Sequence, residues 1–167
     1  AGGFTMPLPE EDQAYRTKKY MEEYIVVCLG GRVAEKLTME DISTGAYGDI
    51  KQATQMARAM VTSYGMSDKI GLMTLVSGGN EYLDGQSYMD CAQSTAADAD
   101  SEIHKLLDHC YEDAKKLLGE NRALLDEISL YLLQKETITG DELMAYVNAD
   151  SRRLPAPEGA ASTEAEQ

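Results

Sequence analysis

Long apolar runs are missing from this sequence of 167 residues. A helix that crosses a membrane needs roughly 18 or more consecutive apolar residues, and the longest candidate here is the short stretch 24–29. The chain also lacks the positively charged and then apolar opening of a secretory signal. The sequence therefore predicts that none of its own segments enters a membrane.

Positive charge is scarce as well. The chain has 15 Lys and Arg residues against 29 Asp and Glu residues, which gives a formal net charge of −14. A surface of this sign repels phosphate backbones and anionic lipid headgroups instead of recruiting them. We therefore expect no nucleic-acid partner.

Cysteine and histidine are too few for the usual disulfide or metal frameworks. Cys28, Cys91 and Cys110 are odd in number and widely spaced, which argues against a disulfide scaffold and a paired-cysteine zinc site and favours a reducing compartment. His104 and His109 are five residues apart, about 140° around a helix of 3.6 residues per turn, so they cannot share a metal ion. We interpret both as surface or partly buried helix residues.

Several catalytic signatures are absent from the sequence. It contains no His-Glu-x-x-His, no G-x-S-x-G turn and no cysteine with a suitable histidine partner, and its Gly-Gly pair at 78–79 lacks the lysine of a phosphate loop. Most acidic residues have the spacing of a solvated helix face, and the methionines have the spacing of core residues. From these residues alone, the chain is an acidic helical domain of unknown role.

Helical periodicity dominates what is present. The chain is 43% apolar and 26% charged, which is typical of one globular domain of this length. Apolar residues that recur at three and four predict a mainly α fold: a helical bundle of about five helices with a short β-hairpin and a short N-terminal extended segment. The extended segment is expected at 4–8, the hairpin at 72–83, and the helices at 17–29 with a continuation over 32–37, 49–64, 94–118, 121–133 and 139–149.

Cap residues mark three of the predicted helix starts. Asp49 with Gln52 three residues later has the capping-box pattern, which is by itself a sufficient structural reason for an aspartate. Asn121 is expected to cap the fourth helix. A Thr-x-x-Glu capping box at 139–142 is expected to start the fifth.

Two features concern helix ends and domain limits. Gly30 and Gly31 either end the first helix or allow another backbone to pack closely, and the glycines alone do not decide between these alternatives. After residue 150 the composition changes to Pro, Ala, Gly, Ser, Thr and Glu. We therefore predict a folded domain over 1–150 and a disordered acidic tail over 151–167.

Three blocks of sequence resemble one family, the FtsH-type ATP-dependent zinc metalloproteases. Residues 29–37 read LGGRVAEKL and resemble the family's L-G-G-R-x-A-E-E-L helix. Residues 43–54 read STGAYGDIKQAT and resemble its S-T-G-A-x-x-D-L/I-x-x-A-T block, and 57–71 resemble A-R-x-M-V-T-x-Y-G-M-S-x-K-L-G. With weaker likenesses at 3–9 and 120–138, the resemblance covers 4–149 and places the chain in the C-terminal part of the peptidase domain.

The resemblance implies a zinc site that this chain holds only in part. In the family, zinc is bound by the two histidines of a His-Glu-x-x-His helix and by the aspartate of the S-T-G-A block, and the glutamate is the general base for a zinc-bound water. The matching aspartate is Asp49, and Glu35 matches a position that would orient a ligand or would be an ordinary solvated helix glutamate. The chain starts Ala1-Gly2-Gly3 without methionine, so we expect a piece cut just after the catalytic helix, with no catalytic residue of its own.

The resemblance also implies a parent protein. That parent is a homo-hexamer anchored in a bacterial cell membrane, with an ATPase domain that binds ATP, unfolds substrate proteins on the cytoplasmic side and feeds them to the zinc sites. This chain would contact the membrane only through absent parent segments, would not retain zinc alone, and would be an inactive soluble fragment. The alternative is a non-catalytic helical scaffold or interaction module that lost the zinc motif.

Overall fold

The computed structural model describes residue 5 and residues 15–39, 41–77 and 88–151. These residues form five α-helices, one 3₁₀ turn and two very short strands. In chain order they are α1 (Lys18–Thr38), the 3₁₀ turn (Thr44–Ala46), α2 (Tyr47–Thr62), β1 (Val76–Ser77), β2 (Tyr88–Met89), α3 (Gln93–Glu120), α4 (Arg122–Lys135) and α5 (Gly140–Ser151). The predicted mainly helical fold with five helices is confirmed. None of the described helices combines the length and apolarity needed to cross a bilayer.

The chain divides into two compact units, Ala1–Lys116 and Leu117–Gln167. The first unit has a buried core in which α1 packs against α2. Small residues on α2 bring the two helices close together, because Ala53 and Ala57 are fully buried in this contact. The core consists of Met21, Ile25, Cys28, Leu29, Ala53, Ala57, Met60, Val61, Leu75, Ala99, Ile103 and Cys110.

Helix α1 runs without interruption through its glycine pair. It starts at Lys18, where the Thr17 hydroxyl accepts a hydrogen bond from the backbone N–H of Tyr20 at 3.1 Å, and it continues to Thr38. Gly30 and Gly31 therefore do not end the helix, and that alternative is wrong. The burial of α1 residues before and after the glycines supplies the free energy that offsets two unfavourable helix positions.

The hairpin predicted at 72–83 is not supported by the structure. Its expected returning strand, 82–83, lies outside the described residues, and Val76 and Ser77 pair instead with Met89 and Tyr88 in an antiparallel ladder. The ladder is only two residues long on each side. Leu75, which precedes β1, is fully buried and is held by long-range hydrogen bonds: its N–H donates to the Thr62 carbonyl at 2.8 Å, and its carbonyl accepts from the Asp90 N–H at 2.8 Å. These partners are distant in sequence, so the local turn signal did not reveal them.

The second unit contains the α4–α5 pair. The predicted capping box at the start of α5 is confirmed: the Thr139 N–H donates to Glu142 Oε2 at 2.8 Å, and the Glu142 N–H donates to Thr139 Oγ1 at 3.3 Å. Glu142 also accepts hydrogen bonds from the Tyr131 hydroxyl, at 2.9 Å, and from Lys135. Tyr131 and Tyr146 stack in a tilted arrangement with their ring centroids 5.2 Å apart.

Asn121 has a different role from the one predicted. Its side chain makes no capping hydrogen bond to α4. Its Nδ2 instead donates to the Leu117 carbonyl at 2.8 Å, so it satisfies an end carbonyl of α3. Of the remaining predictions, the extended segment at 4–8 lies outside the described residues apart from residue 5, and the predicted tail lies outside them after residue 151.

Candidate metal-ligand site

Asp49 is the third residue of α2 and not its cap. The helix starts two residues earlier, at Tyr47, and the cap position, Ala46, makes no side-chain hydrogen bond. Gln52, the expected partner in a capping box, accepts a hydrogen bond from the Tyr24 hydroxyl at 2.7 Å instead. The capping prediction for Asp49 is therefore wrong. At its actual position, the carboxylate still interacts favourably with the positive end of the helix dipole.

The reason for this early start is the 3₁₀ turn that precedes α2. The Ser43 hydroxyl accepts a hydrogen bond from the Gly45 N–H at 3.0 Å and so caps the turn. The turn ends at Ala46 and α2 begins at the next residue, so the first backbone groups of α2 are already ordered. Ser43 thus caps the turn that leads into α2, whereas α2 itself has no side-chain cap.

The Asp49 carboxylate lies across α1 at Gly31. A Cβ added to Gly31 would be 3.8 Å from Asp49 Oδ2, which is ordinary van der Waals contact. At Gly30 a Cβ would meet no atom within 4 Å. Of the two glycines, only Gly31 therefore keeps space beside a side chain of another helix, and that side chain is Asp49.

Within the part of the chain that the structure describes, the Asp49 carboxylate makes no hydrogen bond or ion pair, and its residue is exposed. Its charge is felt by Cys28 on α1, where burial, and to a smaller degree the charge of Asp49, raises the pKa of the thiol. Among the described residues, nothing occupies the oxygen atoms of the Asp49 carboxylate, so they are available to bind a cation.

Glu35 is largely covered and hydrogen-bonded, with its side chain 15% exposed. It accepts hydrogen bonds from the Ser43 hydroxyl and from the Ser43 N–H, the latter at 3.3 Å. The Ser43 hydroxyl first, and then the Ser43 N–H and Arg32, hold the pKa of the Glu35 carboxyl below its ordinary value. Glu35 is therefore not an ordinary solvated glutamate on a helix surface. The predicted role of Glu35 in orienting a ligand stays a prediction.

The described residues do not form a complete metal site. Among residues 15–39, 41–77 and 88–151 there is no cluster of three or more His, Cys, Asp and Glu side chains. The two histidines are exposed on α3, where His104 Nδ1 lies 2.9 Å from Asp108 and His109 Nε2 lies 3.5 Å from Asp113. The unengaged carboxylate of Asp49 fits one position of a zinc site. The described residues do not supply the other ligands.

Sequence reasoning missed the part played by Arg32. Its Nη2 donates to the Ser43 carbonyl at 2.9 Å, and its Nη1 lies 3.5 Å from Glu35 Oε2. A signal for half of this arrangement is present in the sequence, because Arg32 and Glu35 are three apart on one helix and therefore neighbours on its surface. The contact of both residues with Ser43 crosses a loop, and periodicity gives no signal for it.

Comparison with known proteins places these features in a family. The model of "Peptidase family M41" matches residues 1–146. A protein named ATP-dependent zinc metalloprotease FtsH, from Clostridium perfringens, is 48% identical over 145 residues, which are 87% of this chain and 20% of that protein. A protein named ATP-dependent zinc metalloprotease FtsH 2, from Alkaliphilus metalliredigens, is 49% identical over 144 residues, or 84% of this chain and 21% of that protein.

A third relative extends the same pattern. The ATP-dependent zinc metalloprotease FtsH of Caldicellulosiruptor bescii is 44% identical over 155 residues, which are 91% of this chain and 25% of that protein. The chain thus spans about a fifth to a quarter of the length of these curated relatives. Because the family model covers most of the chain, the resemblance seen in the three sequence blocks is confirmed, and the chain belongs to peptidase family M41.

Proposed function

We propose that this chain is the C-terminal helical part of the peptidase domain of an ATP-dependent zinc metalloendopeptidase, and that Asp49 supplies one of the zinc ligands. The observation that carries the proposal is the state of Asp49. Its carboxylate lies over Gly31, is exposed, and makes no hydrogen bond or ion pair with any described residue. The family match and the names of the relatives support zinc as the metal and peptide hydrolysis as the reaction.

The residues of this chain would bind and orient, and would not perform the proton transfers. Bound zinc supplies a Lewis acid that activates water for attack on a peptide carbonyl. Asp49 would contribute an anionic oxygen ligand held at the start of a helix. Glu35 would act one step away, because it binds Ser43 in the turn that leads into α2.

The whole protein in this proposal is a membrane-anchored homo-hexamer that degrades unfolded or short-lived proteins. Its ATPase domain, outside this chain, binds ATP and drives unfolding on the cytoplasmic side of the bacterial membrane. The 167-residue chain alone is expected to hold zinc poorly and to lack peptidase activity. A catalytic zinc site needs three protein ligands, and Asp49 supplies one.

Zinc content and proteolysis of two matched samples test this function. Full-length protein should retain close to one zinc per subunit after dialysis and should cleave unfolded casein in an ATP-dependent, chelator-sensitive reaction. The 167-residue chain should do neither. Casein cleavage that continues unchanged after complete zinc removal would contradict the proposal. A full-length sequence without a His-Glu-x-x-His upstream of Gly3 would favour the scaffold alternative.

A further inference from the structure

Arg32, Glu35 and Ser43 form a network that ties α1 to the turn before α2. Arg32 Nη2 donates to the Ser43 carbonyl at 2.9 Å, while Glu35 accepts from both the N–H and the hydroxyl of the same serine. Arg32 Nη1 lies 3.5 Å from Glu35 Oε2. The backbone N–H, backbone carbonyl and hydroxyl of Ser43 are therefore all held by two neighbouring side chains of α1.

This network is more enclosed than an ordinary surface ion pair. The side chains of Arg32 and Glu35 are only 16% and 15% exposed. Arg32 Nη1 is buried and makes no hydrogen bond with the described residues. An exposed Arg–Glu pair on a helix contributes little to stability, and removing a guanidinium from water is unfavourable unless hydrogen bonds and ion pairs compensate for the lost hydration. The arrangement is consequently better suited to fixing the position of Ser43 than to adding stability.

Ser43 is connected to Asp49 through the 3₁₀ turn and the start of α2. Ser43 caps the 3₁₀ turn through Gly45, and α2 follows this turn without a gap, with Asp49 as its third residue. The Asp49 carboxylate then returns to α1 at Gly31, the residue next to Arg32. The chain thus leaves α1, passes through the turn into α2, and contacts α1 again through Asp49. Arg32 and Glu35 make the contacts between α1 and the residue that starts the turn.

We propose that Arg32 is a positioning residue that, through Ser43, holds the Asp49 carboxylate over Gly31 in the orientation that binds the metal. This inference rests on the proposed role of Asp49 and adds a residue to it. The planar guanidinium suits the task, because it contacts the Ser43 carbonyl and the Glu35 carboxylate from one fixed plane. A lysine ammonium at the same place reaches only one of these acceptors well.

The test is the zinc dissociation constant of full-length variants, measured by chelator competition. Arg32→Met should weaken zinc binding by about 10–100-fold, the usual effect of removing a group that supports a ligand. Arg32→Lys should lie between Arg32→Met and wild type. Arg58→Met is the matched control. Arg58 is an exposed arginine in the C-terminal half of α2, 3.9 Å from Asp100, and the variant should bind zinc like wild type.

A double variant separates positioning from a general structural effect. Asp49→Asn should lose zinc on dialysis, but its weak residual affinity can still be measured by the same competition at higher free zinc. If Arg32 acts through Asp49, then adding Arg32→Met should change this residual affinity by less than about twofold, since coupled residues are not additive. Ser43→Ala covers the case in which Arg32→Met does not fold. It removes only the hydroxyl that binds Glu35 and Gly45, and it should weaken zinc binding in the same direction.

The possible outcomes distinguish this inference from the proposed function. Zinc binding by Asp49→Asn at wild-type affinity would overturn both. If Asp49→Asn loses zinc while Arg32→Met and Ser43→Ala bind it like Arg58→Met, the positioning role of Arg32 is wrong and the role of Asp49 stands. Weaker binding by Arg32→Met that persists in full in the Asp49→Asn background would also overturn the positioning role.

Discussion

The α1–α2 pair and the α4–α5 pair are stabilised in different ways. The first pair contributes most of a buried core that includes Ile25 and Met60, both almost completely inaccessible to solvent. The second pair has no fully buried residue among positions 117–149, and its specific contacts converge on the polar side chain of Glu142. Burial of apolar side chains is the main stabilising contribution in the α1–α2 pair, which carries Asp49. In the α4–α5 pair the main contributions are capping and ion pairing.

This difference matters for function because the Asp49 site needs a rigid support. Asp49 and the network that leads to it lie on two helices whose contact surface is closely packed. A well-packed core holds side chains in single conformations and transmits displacements instead of absorbing them. The predictions below test this comparison from the largest expected effect to the smallest.

A matched pair of Leu→Ala substitutions should separate the two regions most strongly. Leu75 belongs to the core that α1 and α2 share and is 0% exposed, so Leu75→Ala should lower the free energy of unfolding by about 2–5 kcal/mol through lost burial and a residual cavity. Leu133 on α4 is 78% exposed, and Leu133→Ala should change the free energy of unfolding by less than about 0.5 kcal/mol. Urea unfolding of the chain followed by circular dichroism measures both. Equal losses would remove the distinction between the two regions.

Loss of the capping box should affect the second region alone. Thr139→Ala removes the hydroxyl that accepts from the Glu142 N–H, and it should reduce the local stability of α5 by about 1 kcal/mol. Hydrogen exchange of the α5 amides measures this change. Thr38→Ala is the control, since the Thr38 hydroxyl only donates back to the Ala34 carbonyl within α1, and its effect should stay within about 0.5 kcal/mol. Unchanged α5 exchange in Thr139→Ala would show that the box is not stabilising.

Acid should loosen the same region before it affects the apolar core. Hydrogen bonds from Lys135, the Thr139 N–H and Tyr131 lower the pKa of Glu142 to about 2. A glutamate in the unfolded chain has a pKa of about 4.3, so this stabilisation is complete above that pH and is lost as the pH falls towards 2. Protection factors of the α5 amides, which are exchange rates corrected for the intrinsic pH dependence of exchange, should therefore fall over this window. The Glu142→Gln variant should lose most of that pH dependence. An identical acid response in Glu142→Gln would contradict the assignment.

The apolar framework was predictable from the sequence because it depends on periodicity. The buried stripe of α2, with Ala53, Ala57, Met60 and Val61, follows the helical spacing directly. The Thr139 capping box was also predictable, since both partners lie within one turn of the same helix. Interactions of this local kind are readable without any tertiary information.

The details around Asp49 were less predictable because they involve residues on different elements. The cap signal at Asp49 and Gln52 was misleading. The 3₁₀ turn capped by Ser43 leads into the helix, and Gln52 accepts a hydrogen bond from the Tyr24 hydroxyl. The pairing of β1 with β2 goes together with hydrogen bonds from Leu75 to Thr62 and from Asp90 to Leu75, which a local turn signal does not predict. Asp49 as a metal ligand was suggested only by the family resemblance, because the residues that the structure describes place no second ligand beside it.

The most direct measurement of the central claim is the zinc content and peptidase activity of full-length Asp49→Asn, with Asp68→Asn as an exposed control. The exposed position of Asp49 and its lack of described hydrogen bonds predict metal-free melting within a few degrees of wild type, with at most about 0.3–1 kcal/mol lost at the helix N-terminus. We expect Asp49→Asn to lose zinc and peptidase activity while ATP hydrolysis continues, and Asp68→Asn to match wild type. Retention of one zinc per subunit and wild-type peptidase activity in Asp49→Asn would contradict the claim.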